Sequence, residues 1–164
     1  MILIITGPPA AGKTTIGNML STIVPNCALI DADALRAMVR DPHIPPWQGG
    51  AGNQQLLLGV KNACTLAREF HAQHLNVIIL DVLTNESREI YANTLNDLDL
   101  NFVLLMPSLE TCLKRNKLRG QLLQDQEVEL LYNWQENLKG IEHVLDNSTI
   151  PAKPVAQILS RDFF

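Results

Sequence analysis

The chain has 164 residues, 46% of them hydrophobic and 18% charged, with 13 Lys and Arg against 17 Asp and Glu. That is enough apolar chain to pack one domain around a real core, and it excludes a disordered sequence. A net charge of −4 weighs against a protein whose main task is gripping long nucleic acid through its phosphates.

The first stretch, MILIITGPPAAGKTT, begins with a short apolar run, Met1 to Thr6, that reads as a buried strand. Gly7 to Thr14 then fits the phosphate-loop pattern G-x-x-x-x-G-K-S/T without a mismatch. Ile16, Met19, Leu20 and Ile23 follow at helical spacing, completing the strand–loop–helix context that the motif requires. In such a loop the backbone N–H groups of Gly7, Pro8, Ala10, Ala11, Gly12, Lys13, Thr14 and Thr15, proline excepted, converge on phosphate oxygens at the positive end of a helix. Lys13 reaches the β- and γ-phosphates and the Thr14 hydroxyl ligates Mg2+. ATP with Mg2+ is therefore the expected cofactor pair.

Pro25 and Asn26 break the helix, and Cys27–Ile30 makes a second strand ending in Asp31-Ala32-Asp33. Ala34, Leu35, Met38 and Val39 mark a short helix. Residues 41–52 hold three prolines and three glycines around Trp47 and read as a loop, giving an acceptor-side loop over about residues 41–53. Asn53 to His74 repeats apolar residues at spacings of three and four, an amphipathic helix. Asn76–Leu80 is a continuous apolar run, a strand buried on both faces, ending in Asp81. Glu86 to Leu98 reads as a helix capped by Thr84 or Asn85, and Leu100 to Met106 as a fourth strand stopped by Pro107. Ser108 caps a further helix, a polar break follows near Gln121, and Val128 to Ile141 continues as helix. His143–Asp146 is a fifth strand and Pro154–Ser160 a last helix. Strands alternating with helices, each strand nearly all apolar, mean a parallel sheet covered on both faces. Ligands then sit beyond the strands' carboxyl ends, which is where the phosphate loop, Asp31, Asp33, Asp81 and Pro107 fall.

Three companions of the phosphate loop narrow its meaning. Asp31 and Asp33 stand one residue apart at a strand end, so one can face a metal's water shell while the other accepts a hydroxyl proton; each also suits a helix cap. Arg36 lies three residues after Asp33 on the same helical face and can pair with it or hold an acceptor. Asp81 is a second candidate carboxylate for the metal, and sequence leaves open which of Asp31 and Asp81 is nearer the ion. Lys114 to Gly120 gathers four cations, and Arg115 and Arg119 can project from one helical face. They suit a lid over the transferring phosphoryl group, residues 114–127, as well as a helix dipole. Trp47 is the candidate wall for the acceptor, with Gln48, Asn53 and Gln54 as polar partners. The guanine-reading N-K-x-D motif is absent, and the four histidines form no metal-ligand pattern.

The phosphate loop followed by LIDADALR resembles the small P-loop kinases of the nucleoside-monophosphate-kinase-like superfamily, nearest to chloramphenicol phosphotransferases, polynucleotide 5′-hydroxyl kinases and zeta toxins. The resemblance implies an α/β fold: three layers, α/β/α, with a five-stranded parallel sheet in the order 2-3-1-4-5 and a small helical lid, over residues 1–164. It implies that Asp33 is the base, Arg36 the acceptor clamp and Arg115 and Arg119 the lid arginines. The D-x-D form is also similar to shikimate kinases, which implies Asp31 for the metal and Asp33 for the acceptor hydroxyl. Val144 to Ser148 resembles the turn near the adenine, which brings in Asn147. Residues 42–52 match no acceptor signature of these relatives, and Pro8-Pro9 stiffens the loop.

The catalytic set is then Lys13, Asp33, Arg36, Arg115 and Arg119; the metal set Thr14, Asp31 and Asp81; and the acceptor set Asp33, Arg36 and Trp47. Transfer of the γ-phosphoryl group of ATP to a small-molecule hydroxyl is the leading expectation. A polynucleotide 5′-hydroxyl kinase and an ATP-binding regulator with little turnover are the alternatives. Cys27, Cys64 and Cys112 lack a C-x-x-C pair and read as buried thiols of a reducing compartment. No run reaches the ~18 apolar residues of a membrane helix and the start lacks a basic leader, so a cytoplasmic location and no membrane partner are expected.

Overall fold

A computed structural model describes residues 1–164. Its elements are β1 (Ile2–Thr6), α1 (Lys13–Ile23), β2 (Cys27–Asp31), α2 (Ala32–Arg36), α3 (Gly49–Ala72), β3 (Asn76–Leu80), α4 (Asn85–Thr94), β4 (Leu100–Leu105), α5 (Leu109–Leu118), α6 (Asp125–Glu136), β5 (His143–Leu145) and α7 (Ala152–Phe163). The five strands form one parallel sheet in the order β2-β3-β1-β4-β5.

The period of two along each strand explains why the central segments Ile2–Ile5 and Val77–Leu80 are continuously apolar. Ile2, Ile4, Val77 and Ile79 face Leu56, Val60, Ala63 and Ala67 of α3, Tyr91 of α4 and Leu95 just beyond it. The intervening Leu3, Ile5, Ile78 and Leu80 face Ile16 and Leu20 of α1 and Val155, Ala156 and Leu159 of α7. Each such aliphatic side chain contributes about 1.5–3 kcal/mol on burial, and β1, paired on both sides, is fully buried from Ile2 to Ile5. A polar residue on β1 or β3 would face one core or the other, so neither strand can alternate.

Several boundaries differ from the sequence reading. Gly49–Gly52 belongs to α3 rather than to the preceding loop. Gly52 packs so closely on the Pro45 carbonyl that a Cβ would not fit, so tertiary contact overrides the low helix propensity of glycine. The helix after β3 stops at Thr94, and residues up to Leu98 form a turn, with the Leu98 N–H bonded to the Leu95 carbonyl. Thr84, not Asn85, caps it, and Ser87 returns the bond to the Thr84 N–H. Residues 125–136 form α6, so Leu138 and Ile141 lie outside it. The last helix starts at Ala152, and Pro154 sits in its first turn, where no N–H needs an intrahelical partner. All three cysteines are free; Cys64 and Cys112 are buried, whereas Cys27 is half-buried. No helix is long and apolar enough to cross a membrane.

Candidate active site

The central strand delivers the phosphate loop to the carboxyl edge of the sheet. Pro8 to Ala11 form a tight turn: the Ala11 N–H bonds the Pro8 carbonyl at 3.2 Å, proline occupies its second position and Ala10, with φ of 62°, its third. That is the pattern of a type II turn, for which Pro9 is pre-set. Gly7 and Gly12 take positive φ of 152° and 101°, and a Cβ on Gly7 would collide with the Leu105 carbonyl of β4. Gly7 is therefore required by backbone and by space, and Gly12 by its backbone alone.

Lys13 folds back over the loop, donating to the carbonyls of Gly7 at 2.7 Å and Pro8 at 3.0 Å. Desolvation lowers its pKa to about 8, against the opposing pull of Asp33 and Asp81. Residues Pro9 to Ile16 line a cavity of about 690 Å3 together with Asp33, Arg36, Trp47, Arg115, Arg119 and Asn147. Gly7 and Pro8 do not line the cavity, and their carbonyls serve as acceptors for Lys13.

The two strand-end aspartates do different things. Asp31 caps α2, its Oδ1 accepting the Asp33 N–H at 3.0 Å, and does not line the cavity. Asp33 is 68% exposed and faces the cavity, one oxygen bonded to the Arg36 guanidinium. Arg36 itself is buried, 5% exposed, and its other terminal nitrogen donates to Asp81 Oδ1 at 2.9 Å. Burial alone would lower its pKa, but the carboxylates of Asp81 and Asp33 outweigh that and raise it. Its stem crosses α3 where Gly59 lacks a side chain.

Asp81, expected among the metal-facing carboxylates, lies in the interior in this arrangement. It is 1% exposed and does not line the cavity. Oδ1 accepts from Arg36 and from the Val82 N–H at 2.7 Å, and Oδ2 accepts from the Tyr91 hydroxyl at 3.0 Å. Burial and the adjacent carboxylate push the Tyr91 phenol well above its usual range, so it stays a donor. The chain Tyr91–Asp81–Arg36–Asp33 thus runs from the core to the cavity and holds the one exposed carboxylate at its end.

Arg115 and Arg119 both line the cavity. Arg115 donates to Ala11 O at 3.4 Å and to Asn147 O at 2.9 Å, joining α5, the phosphate loop and the turn after β5. Arg119 lies close enough to Lys13 to depress its pKa, and its own is lowered chiefly by burial. Asn147 donates to Ala11 O at 2.8 Å, while its buried Oδ1 has no partner. A buried acceptor left open in this way is costly unless something donates to it. Residues 114–127 comprise the end of α5, a short connection and the start of α6. Behind them α6 is tied to the sheet by Gln135, which accepts from Thr6 Oγ1 at 2.7 Å and donates to Leu83 O at 2.6 Å.

Trp47 lines the cavity, but the polar partners expected for it do not. Asn53 turns to Glu86 at 3.1 Å, and Gln48 and Gln54 are exposed outside the cavity. Gln55 instead fastens the loop, accepting from the Ile44 N–H and donating to Pro42 O. Trp134, Leu131 and Val82 were not foreseen as cavity wall. Trp134 adjoins Gln135, and the tie of Gln135 to Leu83 brings it beside Val82. The spacing of Leu131 and Trp134 marks only an apolar helical stripe. Tyr91 carried no local signal, standing ten positions from its partner.

No protein-family model and no curated protein sequence matches the chain. Solved structures do. The tunicamycin resistance protein of Deinococcus radiodurans superposes with a TM-score of 0.70 at 20% identity, over 99% of this chain and 95% of that one. Shikimate kinase from Acinetobacter baumannii, solved with shikimate, gives 0.65 at 20%, over 99% and 95%. A gluconokinase from Sinorhizobium meliloti 1021 gives 0.63 at 17%, over 98% and 93%. At these identities the likeness is one of fold, and the chain carries the three-layer α/β/α P-loop fold of such small kinases, with the strand order 2-3-1-4-5.

Proposed function

We propose that this protein is an ATP-dependent phosphotransferase that moves the γ-phosphoryl group to a hydroxyl of a small molecule. The observation that carries the reading is Asp33: an exposed carboxylate, held through one oxygen by a buried arginine, in the same cavity as the phosphate loop. Its second oxygen is placed to accept a hydroxyl proton as the acceptor oxygen bonds Pγ. The bond from Pγ to the bridging oxygen breaks, and ADP leaves with that electron pair. Lys13, Arg115 and Arg119 supply positive charge along the triphosphate and stabilise it as charge shifts onto the leaving group. The unpartnered Asn147 Oδ1 suits a donor such as the exocyclic amine of a base.

Magnesium fits the residues present without a protein cage, because this ion usually arrives with phosphates and few carboxylates. Thr14, exposed on the cavity wall, would hold it, whereas Asp31, expected for the metal, is engaged as the cap of α2 outside the cavity. When bound it would neutralise charge on the phosphoryl oxygens. Residues 114–127 are read as the lid over this site, and a polynucleotide acceptor is the less favoured substrate given the net charge of −4.

ATP turnover against a panel of alcohols, with identification of the phosphorylated product, tests the reading. Asp33→Asn should reduce turnover by about 10²–10⁴-fold with nucleotide affinity kept. Undiminished transfer by the variant would remove Asp33 from the base role. ATP binding that is lost in Lys13→Ala, with no acceptor phosphorylated by wild type, would instead favour a nucleotide-binding regulator.

A further inference from the structure

The cavity wall on the acceptor side has a composition of its own. Besides Asp33 and Arg36, the cavity is lined by Ile44, Pro45, Pro46 and Trp47 of the α2–α3 connection and by Leu131 and Trp134 of α6, and we take these apolar residues as the wall facing the acceptor. Both tryptophans of the chain are in it. Aromatic and proline surfaces of this kind bury flat or alicyclic carbon frames and offer them few hydrogen bonds.

The charges on that side are already spent. The Arg36 guanidinium is shared between Asp33 and Asp81, so one cation faces two carboxylates and the balance is negative. The remaining cations of the cavity, Lys13, Arg115 and Arg119, gather with the phosphate loop: Arg115 bonds Ala11 O and Arg119 acts electrostatically on Lys13. An acceptor bearing a carboxylate or phosphate would have to break the Arg36 pairs, leaving buried Asp81 without its counterion, which is expensive. His43, the other polar residue of this wall, is exposed.

We infer that the acceptor is an uncharged, mainly apolar alcohol, its hydroxyl directed at Asp33 and its carbon frame held between Trp47 and Trp134. This rests on the phosphotransferase reading above and adds the substrate class to it. It separates this chain from kinases whose acceptors are sugar acids or nucleic-acid ends.

Two readouts on the full-length protein test class and chemistry independently. Quenching of tryptophan fluorescence, with a non-hydrolysable ATP analogue and Mg2+ present, reports acceptor binding because both tryptophans line the site. Phosphorylated product, followed by 31P NMR with ATP, reports transfer. The probes are 4-phenylbutan-1-ol and cyclohexylmethanol as neutral apolar alcohols, shikimate and gluconate as anions, and a tetranucleotide with a free 5′-hydroxyl. The neutral alcohols should bind about tenfold or more tightly than any anion and should be phosphorylated. Trp47→Ala should weaken that binding about tenfold; because Trp47 is on a surface loop, unfolding in urea will show whether the variant is intact, and Ile44→Gln repeats the test by adding a polar group. Phosphorylation of shikimate, gluconate or the oligonucleotide in preference to the alcohols would overturn the class and leave the kinase reading standing. Binding of the alcohols without transfer to any probe would support the class and count against the kinase. A fluorescence signal indifferent to the alcohols would overturn the class outright.

Discussion

Replacement of Asp81 by Asn separates two roles for this carboxylate. In the structure it is an interior counterion: 1% exposed, bonded by Arg36 at 2.9 Å, the Val82 N–H at 2.7 Å and the Tyr91 hydroxyl at 3.0 Å. The amide keeps the shape but removes the charge, and its NH2 group cannot accept from Tyr91 or Arg36. Arg36, 5% exposed, would then keep only the exposed Asp33 as a partner. Breaking one side of a buried pair costs about 3–5 kcal/mol, a large part of the about 5–15 kcal/mol that stabilises a typical domain. With a urea dependence of about 2 kcal/mol per molar, the unfolding midpoint should fall by about 2 M. Equilibrium urea unfolding followed by circular dichroism measures this, alongside Mg2+-dependent ATP binding by calorimetry. A metal-facing carboxylate would give the opposite pattern: stability kept within about 1 kcal/mol and Mg2+-dependent affinity lost. That result would refute the interior role. Arg36→Met in the Asp81→Asn background should recover part of the loss, since the uncompensated charge is then gone.

Gly59→Ala should lower stability by about 1–3 kcal/mol although alanine is the better helix former, because its Cβ would stand 2.6 Å from Arg36 Cγ; a raised melting temperature would show that Arg36 moves aside freely. Lys13 gives ATP affinity a pH dependence with a definite sign. Its pKa in the free protein is about 8, and a bound phosphate favours the charged form, raising it. Below about 8 the ammonium is already present and affinity is flat with respect to this group. Above it a proton must be taken up on binding, and affinity falls by up to about tenfold per pH unit. Calorimetry in buffers of different ionisation enthalpy should detect that uptake, and affinity unchanged from pH 7 to 9.5 would contradict it.

Much of this protein is legible in one dimension. The two central strands, β1 and β3, declare themselves because both of their faces are covered, which forces continuous apolar runs at Ile2–Ile5 and Val77–Leu80. The phosphate loop declares itself because its glycines, lysine and threonine fall at fixed spacing within the short stretch Gly7–Thr14. Asp33 and Arg36 are readable as a pair because three residues of helix put them on one face. The helix start at Gly49 was hidden, since the glycines of its first turn read as loop and only the packing of Gly52 on the Pro45 carbonyl calls for glycine there.

The sequence by itself determined the phosphate loop, whose groups sit within one local stretch. Tertiary structure alone decided the rest. Asp81 stands at a strand end like Asp31, and nothing nearby in sequence distinguishes a metal-facing from an interior carboxylate. What turns it inward is Tyr91 from α4 and Arg36 from α2, 45 positions away from Asp81. The acceptor wall is likewise assembled from Trp47 and Trp134, two residues on separate elements that chain folding alone brings to one cavity. Interactions between near neighbours follow from backbone geometry and survive in the sequence; those between distant elements depend on how the layers pack, which no local pattern records.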